Sequence, residues 1–425
     1  MSQVGKLKVA SNRKNVLGIF GPGILFAASA VGLSHLVQST RAGAEFGFGM
    51  VFIVMLACAI KYPMLRFGGE YATKTGKNLI DDYVRQGRWA FIAYMFTELS
   101  GMVIATAAVT IFTFSLIQAA FDITDLSKLG ELAVLLVAMS ILTSGRYVLF
   151  ENISKVMVLI FAVLITVATC MVVPQVAWSI GKFSIPELDP STLIFIVALI
   201  GVTPTIATGS VWQSLWTQVR QIETGERTVT KRHLFDFNVG FAGTTIIAVF
   251  FVIIGAELMF GKGIAVATGG ENFSRQFLGL FTEVYGAWSF PVIATVSITV
   301  VFTSLLTVID GWSRVMVSAL AAITHQPLGI SLYRLRYRQV LYTLCSIVYL
   351  SILAISENFT QFLDFTATVL FITSPIIATL NHRAMFNGVI PCEDGPPNYI
   401  RYWSLIGVIS MTIVSIIYVY FKFLY

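Results

Sequence analysis

Two apolar segments carry hydroxyls, glycines and one imidazole where a lipid-facing helix would carry leucine and isoleucine. The first is Gly21–Thr40 and the second is Ile200–Val219. Each is about 20 residues long, enough to cross a bilayer as a helix at 1.5 Å per residue. Glycine, proline, serine and threonine in the middle predict an interruption that frees backbone N–H and C=O groups. Because lipid cannot hydrogen-bond these groups, they must face protein or a water-filled cavity.

The side chains beside the two interruptions are neutral, apart from one histidine. Hydroxyls, and the backbone N–H groups at the N-termini of half-helices, favour a carboxylate or another anion. Small residues leave volume for such a guest, although they could instead simply let the helices pack closely. Trp212 and Gln213 could cap an organic guest or pack in the core. The predicted substrate-binding residues in these segments are Ser29, Gly32, Ser34, His35, Thr203, Thr205, Thr208 and Trp212.

Three ionisable side chains inside apolar runs are candidates for ion or proton coupling. They are Glu98, His35 and Asp310, and a charge at membrane depth is costly enough to be a functional candidate. Each has a structural alternative, such as an ion pair between Asp310 and Arg314 one helical turn later. His35 is the one possible metal ligand, and a lone imidazole with hydroxyls makes a weak site. Near the outer end of the first segment, gate or rim residues are predicted at Gln38, Arg41 and Glu45.

The whole chain has the composition of a membrane protein. Of its 425 residues, 56% are hydrophobic and only 12% are charged, whereas soluble domains have about a quarter charged residues. Three of the four cysteines lie in apolar runs and no CxxC occurs, so neither a disulfide framework nor a zinc site is expected. No cleavable signal peptide is visible. No GxSxG, HExxH or P-loop motif is present, so we predict neither an enzyme nor a cofactor, beyond a possible coupling H⁺ or Na⁺.

Eleven transmembrane spans are predicted, with the longest loops at 66–88, 219–234, 259–284 and 381–400. The spans are 17–41, 46–65, 89–119, 129–146, 152–174, 193–218, 235–258, 285–318, 339–356, 361–380 and 401–423. With the N-terminus in the cytoplasm and the C-terminus outside, 22 of the 28 Lys and Arg residues are cytoplasmic, as the positive-inside rule requires. The net charge of +6 therefore reports topology, and no nucleic-acid partner is expected. The predicted location is the cell (inner or plasma) membrane; protein partners stay unknown.

Spans one to five and six to ten have the same number of helices, and each set opens with an interrupted helix. Because five is odd, the two sets insert in opposite senses, which is the inverted-repeat arrangement of many secondary transporters. We predict an all-α polytopic membrane protein with one domain over residues 1–425. Its repeats lie at approximately 17–175 and 193–380, with broken helices 1 and 6, and the eleventh helix at 401–423 is an addition.

The run GPGILFAASAVGLSHLVQSTRAGAEFGF at 21–48 resembles the first helix of the Nramp family of divalent-metal transporters, which begins GPG and ends AG-x-x-FG. The similarity continues through TKTGKNL at 73–79, QVRQIETGERTVTKRH at 218–233 and GLFTEVYGAWSF from Gly279. The resemblance implies a LeuT-like fold and proton-linked uptake of manganese or iron. It also places Glu98 where the family has a proton-pathway aspartate. A polar residue lining the site is implied where the tenth span opens, at Asp364 and Thr366.

The chain departs from the family at the metal site. The family's Asp-Pro-Gly-Asn aligns with residues 32–35, Gly-Leu-Ser-His, and its Met-Pro-His aligns with 203–205, Thr-Pro-Thr. The Asp, Asn and Met ligands are thus replaced by Gly32, His35 and Thr203, which removes the charge and the soft thioether suited to transition metals. The family's second acidic residue of the proton pathway is replaced by Gly101.

These departures predict a secondary active transporter that works by alternating access around a midplane site. Its substrate is predicted to be a small organic solute, an amino or organic acid, coupled to H⁺ or Na⁺. The alternative is a divalent-metal transporter for Mg²⁺ or Mn²⁺ with a remodelled site, and magnesium, which gives up its water reluctantly, suits it best. A third possibility is a sensor that binds its ligand without translocating it.

Overall fold

The computed structural model describes residues 8–9, 22–124, 126–144, 147–176, 183–184, 186–187, 189–324, 329–354, 359–391 and 393–423. Most of the N-terminal tail, the beginning of the first predicted span and Cys392 lie outside the described residues. Within them, fifteen α-helices dominate the structure. The predicted all-α membrane fold is confirmed.

The fifteen helices follow one another along the chain with short connections. In chain order they are α1 Pro22–Ala30, α2 Thr40–Phe46, α3 Met50–Thr75, α4 Leu79–Arg85, α5 Arg88–Phe121, α6 Ser127–Thr143, α7 Tyr147–Val172, α8 Pro190–Val202, α9 Gly209–Thr224, α10 Thr230–Leu258, α11 Gly270–Tyr285, α12 Phe290–Thr324, α13 Ile330–Ala354, α14 Phe359–Phe386 and α15 Asn398–Phe423. A π-helical turn covers Ser34–Ser39, and 3-10 turns cover Gly47–Gly49, Val173–Gln175 and Ala287–Ser289. A two-residue parallel bridge pairs β1 (Lys8–Val9) with β2 (Glu226–Arg227).

Eight helical stretches in the described chain are long and apolar enough to cross a membrane. One of them, Ser34–Thr75, has 42 residues, or about 63 Å of helix, twice the thickness of a bilayer core. Gly47, with φ of 74°, divides it, so this stretch has the length of two crossings. The predicted count of eleven spans is not confirmed, because eight stretches of the described chain meet these criteria and α8 is too short to do so. The division into two repeats stays a prediction.

Both predicted interruptions are present. Helix α1 ends at Ala30, the chain bends at Val31 and Gly32, and the helix resumes as far as Phe46. The first helical segment therefore ends five residues later than predicted. In the second segment, α8 ends at Val202 and α9 begins at Gly209, and the non-helical residues between them contain a cis Thr203–Pro204 bond.

Helix α8 has a well-formed N-terminus in front of the second interruption. Asp189 is its N-cap, accepting a hydrogen bond from the Thr192 backbone N–H at 3.0 Å, and Pro190 occupies the first helical position, where no N–H is needed. Hydrogen bonds from Ser191 and Thr192 lower the pKa of Asp189 to about 2. The start of α8 is thus capped, whereas its C-terminal carbonyls point into the protein.

Helix α3 extends ten residues beyond the end of the predicted span, to Thr75. The charged residues in this extension pair along the helix: Glu70 accepts from Arg66 at 2.7 Å and from Lys74 at 2.6 Å. Such i,i+4 pairs stabilise helix where the composition suggested a loop. Likewise, all of α11 except its last residue lies inside the predicted loop 259–284.

The interrupted helices are enclosed by the others. Helix α1 packs on α10 and α12, and α9 packs on α3 and α12. Gly68 of α3 lies so close to the Ser210 carbonyl of α9 that a Cβ atom would not fit between them. Helix α15 packs against α3 and α14, with Trp403 stacked on Tyr62 at 4.9 Å between ring centroids.

Candidate functional site

The first interruption is bridged by a serine from α12. The Ser304 hydroxyl lies 2.7 Å from the Ala28 carbonyl oxygen and 3.0 Å from that of Val31, and it can donate to either. A Cβ at Gly32 would collide with the Ser304 side chain, so a glycine is needed for this approach. Ser304 was not predicted, because it is one hydroxyl among several in an apolar run.

His35 is buried and both of its ring nitrogens have partners. Nε2 lies 2.9 Å from the Thr244 carbonyl oxygen of α10, and Nδ1 lies 2.8 Å from the Ser34 hydroxyl. Because a carbonyl oxygen can only accept, Nε2 carries the proton in this arrangement. Ser34 also lies 2.7 Å from the Ala30 carbonyl oxygen. His35 thus ties the first interrupted helix to α10, and a metal ion would have to displace one of these partners.

The second interruption is held by a lysine that the charge pattern placed on the cytoplasmic side. Lys61 of α3 is fully buried, and its Nζ donates to the carbonyl oxygens of four residues at 2.7–3.0 Å: Ile200, Gly201, Thr203 and Thr205. A signal was present, since Lys61 is a single charge within MLACAIKYPML, and a charge inside an apolar run is a functional candidate.

Glu98 of α5 meets the same interruption from another side. Its buried carboxylate accepts from the Thr208 hydroxyl at 2.5 Å and from the Trp312 indole N–H at 2.7 Å. A cavity beside it has about 10 Å³ available to the centre of a water molecule, room for about one water. A predicted coupling residue and a predicted substrate-binding residue are therefore in contact.

Three neutral groups near the second interruption are buried without a hydrogen-bond partner in the described chain. They are the Thr203 hydroxyl, the Trp212 indole N–H and the side-chain amide of Gln213. Trp212 packs edge-on against Trp312, with ring centroids 5.1 Å apart. The second interruption thus holds hydrogen-bonding capacity that the described chain does not use.

Asp364 lies in a cluster near the C-terminal end of the first interrupted helix. Arg41 pairs with it at 2.8 Å, and Gln38 donates to it at 2.7 Å. Arg41 also contacts Glu45 at 3.2 Å and lies over the Phe195 ring. We call Gln38, Arg41, Glu45 and Asp364 the outer cluster, because the predicted topology places this end of the helix outside. It joins the three predicted gate residues to a residue that was predicted to bind substrate.

Asp310 is engaged on both oxygens by three donors. Arg314 contacts Oδ2 at 2.7 Å, Trp216 donates to the same oxygen at 2.8 Å, and Tyr337 donates to Oδ1 at 2.7 Å. The ion pair with Arg314, the structural alternative for Asp310, is thus present. Asp310 follows Ser304 by six residues on α12, about 9 Å along the helix axis, so it stands apart from the first interruption.

The remaining predicted residues bond locally. Ser29 donates to the Phe26 carbonyl oxygen and Thr366 to that of Phe362, at 2.7 and 2.8 Å. Of the predicted substrate-binding residues, Thr203, Thr205 and Thr208 lie together in the non-helical segment between α8 and α9. No group of three or more His, Cys, Asp and Glu side chains in the described ranges is arranged to hold a metal ion.

Solved structures that share this arrangement of helices include transporters. The crystal structure of an Eremococcus coleocola manganese transporter, in complex with an aromatic bis-isothiourea substituted compound, matches with a TM-score of 0.69 at 15% identity, covering 98% of this chain and 90% of that one. MhsT in complex with L-phenylalanine matches with 0.66 at 14%, covering 99% and 100%. Mhp1, a nucleobase-cation-symport-1 family transporter, matches with 0.59 at 12%, covering 98% and 93%. At these identities the likeness shows the fold, which is LeuT-like.

Fold and interrupted helices together define a multi-pass membrane transporter of the secondary class. The chain belongs to the Nramp family, described as natural resistance-associated macrophage protein-like, whose match covers residues 23–420. An uncharacterised protein of Pasteurella multocida (strain Pm70) is 29% identical over 415 residues, covering 94% of this chain and 91% of the relative. The family consists of membrane transporters and not of enzymes, so the predicted family and class are confirmed.

Proposed function

We propose that this transporter carries a small organic solute, an amino or organic acid, by alternating access around the second interruption. The observation that carries the proposal is the set of buried groups without partners, Thr203, Trp212 and Gln213. A buried polar group without a hydrogen bond costs about 1–3 kcal/mol. A solute with its own donors and acceptors would recover this cost, and the neutral hydroxyl, indole and amide suit an organic molecule.

The ligands present argue against a dehydrated metal ion. Such an ion needs oxygen, nitrogen or sulfur ligands, usually with at least one charge. Gly32 and Thr203 stand at two of the family's ligand positions, and His35 already has partners on both nitrogens. The nearest carboxylate described at the second interruption, Glu98, accepts from two donors.

Two features could couple the solute to an ion gradient. Glu98, buried beside Thr208, could bind and release a proton. The Ala28 and Val31 carbonyl oxygens and the Ser304 hydroxyl are hard oxygen ligands of the kind that hold Na⁺ at unwound transporter helices. Coupling to H⁺ or Na⁺ is therefore part of the proposal, and gradient experiments in proteoliposomes distinguish the two ions.

The alternative solute is a divalent metal ion, Mg²⁺ or Mn²⁺, in a remodelled site. Family membership favours it, because metal transport is the family norm. The structural neighbours do not distinguish the two substrates, since one is a manganese transporter and another was crystallised with L-phenylalanine. A metal ion here would depend on His35 and on retained water.

Measuring the thermal stability of the purified protein in detergent distinguishes an organic solute from a metal ion as the substrate. We would compare manganese, magnesium and a panel of amino and organic acids, each with and without sodium. A ligand at 100 times its dissociation constant adds about 2.7 kcal/mol to the free energy of unfolding. We expect an organic acid to stabilise the protein. Saturable stabilisation by manganese that His35→Ala abolishes would overturn the proposal.

Two matched variants locate the solute. Thr203→Val removes the hydroxyl that lacks a partner and should weaken solute stabilisation. Thr169→Val in α7 removes a buried hydroxyl that is satisfied within its own helix, 2.9 Å from the Ile165 carbonyl oxygen, and should leave stabilisation unchanged. Equal effects of both variants would place the solute away from the second interruption.

A further inference from the structure

The Lys61 side chain ends in a cage of backbone oxygens. Its Nζ lies 2.8 Å from the carbonyl oxygens of Ile200 and Gly201, 3.0 Å from that of Thr203 and 2.7 Å from that of Thr205. Two of these residues belong to the last turn of α8 and two to the non-helical segment that follows. The cage therefore exists only because the helix is interrupted here.

The physical reason for the cage is the C-terminus of α8. The last carbonyls of a helix have no partner further along the chain and carry the negative end of the helix dipole. Thr203 N–H satisfies only the Leu199 carbonyl oxygen, at 3.0 Å. At an exposed terminus, water would hydrogen-bond to the next carbonyl oxygens. This terminus is buried, and the Lys61 ammonium group takes the place of water at Ile200 and Gly201.

The charge of Lys61 is balanced by dipoles and not by a carboxylate. In the part of the chain that the structure describes, no ion pair includes Lys61. An ammonium group has three N–H donors, fewer than the four oxygens around it. Attraction between a positive charge and several carbonyl dipoles explains this geometry better than one-to-one hydrogen bonding does, and a neutral amine would supply only two donors.

We propose that the carbonyl oxygens of Ile200, Gly201, Thr203 and Thr205 form a monovalent-cation site, which the Lys61 ammonium group fills from within the chain. Rings of backbone carbonyls replace the hydration shell of monovalent cations in channels, and an ammonium ion has the same charge. The ammonium group then supplies the positive charge at the second interruption, and no external cation is needed at this position. The proposal holds for either class of solute.

Chemical rescue tests the site directly. Lys61→Ala removes the ammonium group and leaves both the oxygens and the space. We expect the apparent Tm in detergent to fall by about 5 °C or more, and ammonium or methylammonium chloride to restore it saturably. Tetramethylammonium has the same charge but no N–H and more bulk, so it should not restore stability. Failure of every small amine to restore the folded variant would overturn the proposal.

Two further variants serve as controls. Lys128 donates to one carbonyl oxygen, that of Ile352 at 2.8 Å, and its side chain is 44% exposed. Lys128→Ala should therefore show no response to ammonium. Lys61→Met fills the space without a charge and should be destabilised and not rescued by amines. If Lys61→Met matches the unsubstituted protein in stability, no cation is needed and the proposal is wrong.

A measurement on the unsubstituted protein keeps the test decisive if Lys61→Ala does not fold even in ammonium chloride. Acetylation by an amine-reactive ester, followed by mass spectrometry, gives a labelling rate for each lysine. We expect Lys61 to be labelled at least tenfold more slowly than Lys128; equal rates would contradict a closed cage. None of these experiments requires the solute, so they can succeed or fail independently of the proposed function.

Discussion

The two interruptions are bridged by different chemistry. At the first, neutral groups meet the backbone: the Ser304 hydroxyl and the His35 imidazole contact carbonyl oxygens. At the second, ionisable groups take this part: the Lys61 ammonium group binds four backbone carbonyl oxygens, and the Glu98 carboxyl group accepts from the Thr208 side-chain hydroxyl. Neutral hydrogen bonds can be exchanged for water at little net cost, whereas a buried charge that loses its partners is strongly penalised.

This difference indicates which half of the site moves. We infer that the second interruption is the fixed reference, because separating Lys61 from its oxygens would leave an uncompensated charge in the membrane. The first can open by exchanging one hydroxyl for water or an ion. Alternating access would then consist mainly of movement of α1 against α10 and α12. Substitutions at the two interruptions and in the outer cluster test this contrast.

The largest expected effect is that of Glu98→Ala. The substitution leaves the Trp312 indole N–H and the Thr208 hydroxyl without their acceptor, and each buried orphan costs about 1–3 kcal/mol. We expect the free energy of unfolding, measured by titration with SDS in mixed micelles, to fall by about 3 kcal/mol. Glu98→Gln keeps an acceptor oxygen and should lose less than half as much. Equal losses would indicate that these hydrogen bonds do not hold the second interruption.

Gly32→Ala should have the next largest effect. The added methyl group would collide with the Ser304 side chain, and overpacking costs about 2 kcal/mol. Combining it with Ser304→Ala should relieve part of the collision, which a double-mutant cycle measures as about 1 kcal/mol of coupling. Gly243→Ala in α10 is the control, since nothing lies within 4 Å of its added Cβ. Additive losses would contradict direct contact at the first interruption.

Ser304→Ala alone should be milder. It removes one neutral donor from two carbonyl oxygens, and such a hydrogen bond contributes about 1 kcal/mol. The difference between the losses in free energy of unfolding of Ser304→Ala and Glu98→Ala measures the contrast between the two interruptions. If sodium binds here, sodium-dependent uptake into proteoliposomes should weaken as well. A loss as large as that of Glu98→Ala would remove the contrast.

Asp364→Asn should change stability least. Arg41 keeps its contact with Glu45, and the Asp364 side chain is 24% exposed, so water weakens the lost ion pair and we expect a loss below about 1 kcal/mol. The amide keeps the shape of the carboxylate but not its charge. We expect faster labelling of a cysteine introduced at Thr203 by an external thiol reagent, since the outer cluster would open more often. Unchanged labelling would show that the outer cluster is not a gate.

Much of the frame could be predicted from local patterns. Interruption of an apolar run by Gly32 and by Pro204 marks both breaks, because lipid does not tolerate free backbone groups. Glu98 stood out as a lone acid in an apolar span. Each of these signals can be read within a single helix, because a polar group in an apolar run has a cost in lipid that the local sequence already reveals.

The cross-chain contacts could not be predicted in this way. Lys61 binds oxygens about 140 residues further along the chain, and its place near the end of the predicted span 46–65 led to its being counted among the cytoplasmic charges. Arg41 meets Asp364 across 323 residues. Nothing in the local pattern distinguishes Ser304 from its neighbouring hydroxyls. Such pairs depend on how the helices pack, which a single sequence does not encode in any local period.

The contact between Gly68 and the Ser210 carbonyl has a mechanical consequence. With no side chain between them, α3 and α9 cannot rotate independently at this point without a backbone clash. Lys61 of α3 also holds the last turn of α8 through the Ile200 and Gly201 carbonyl oxygens. We therefore expect α3, α9 and the end of α8 to move as one unit.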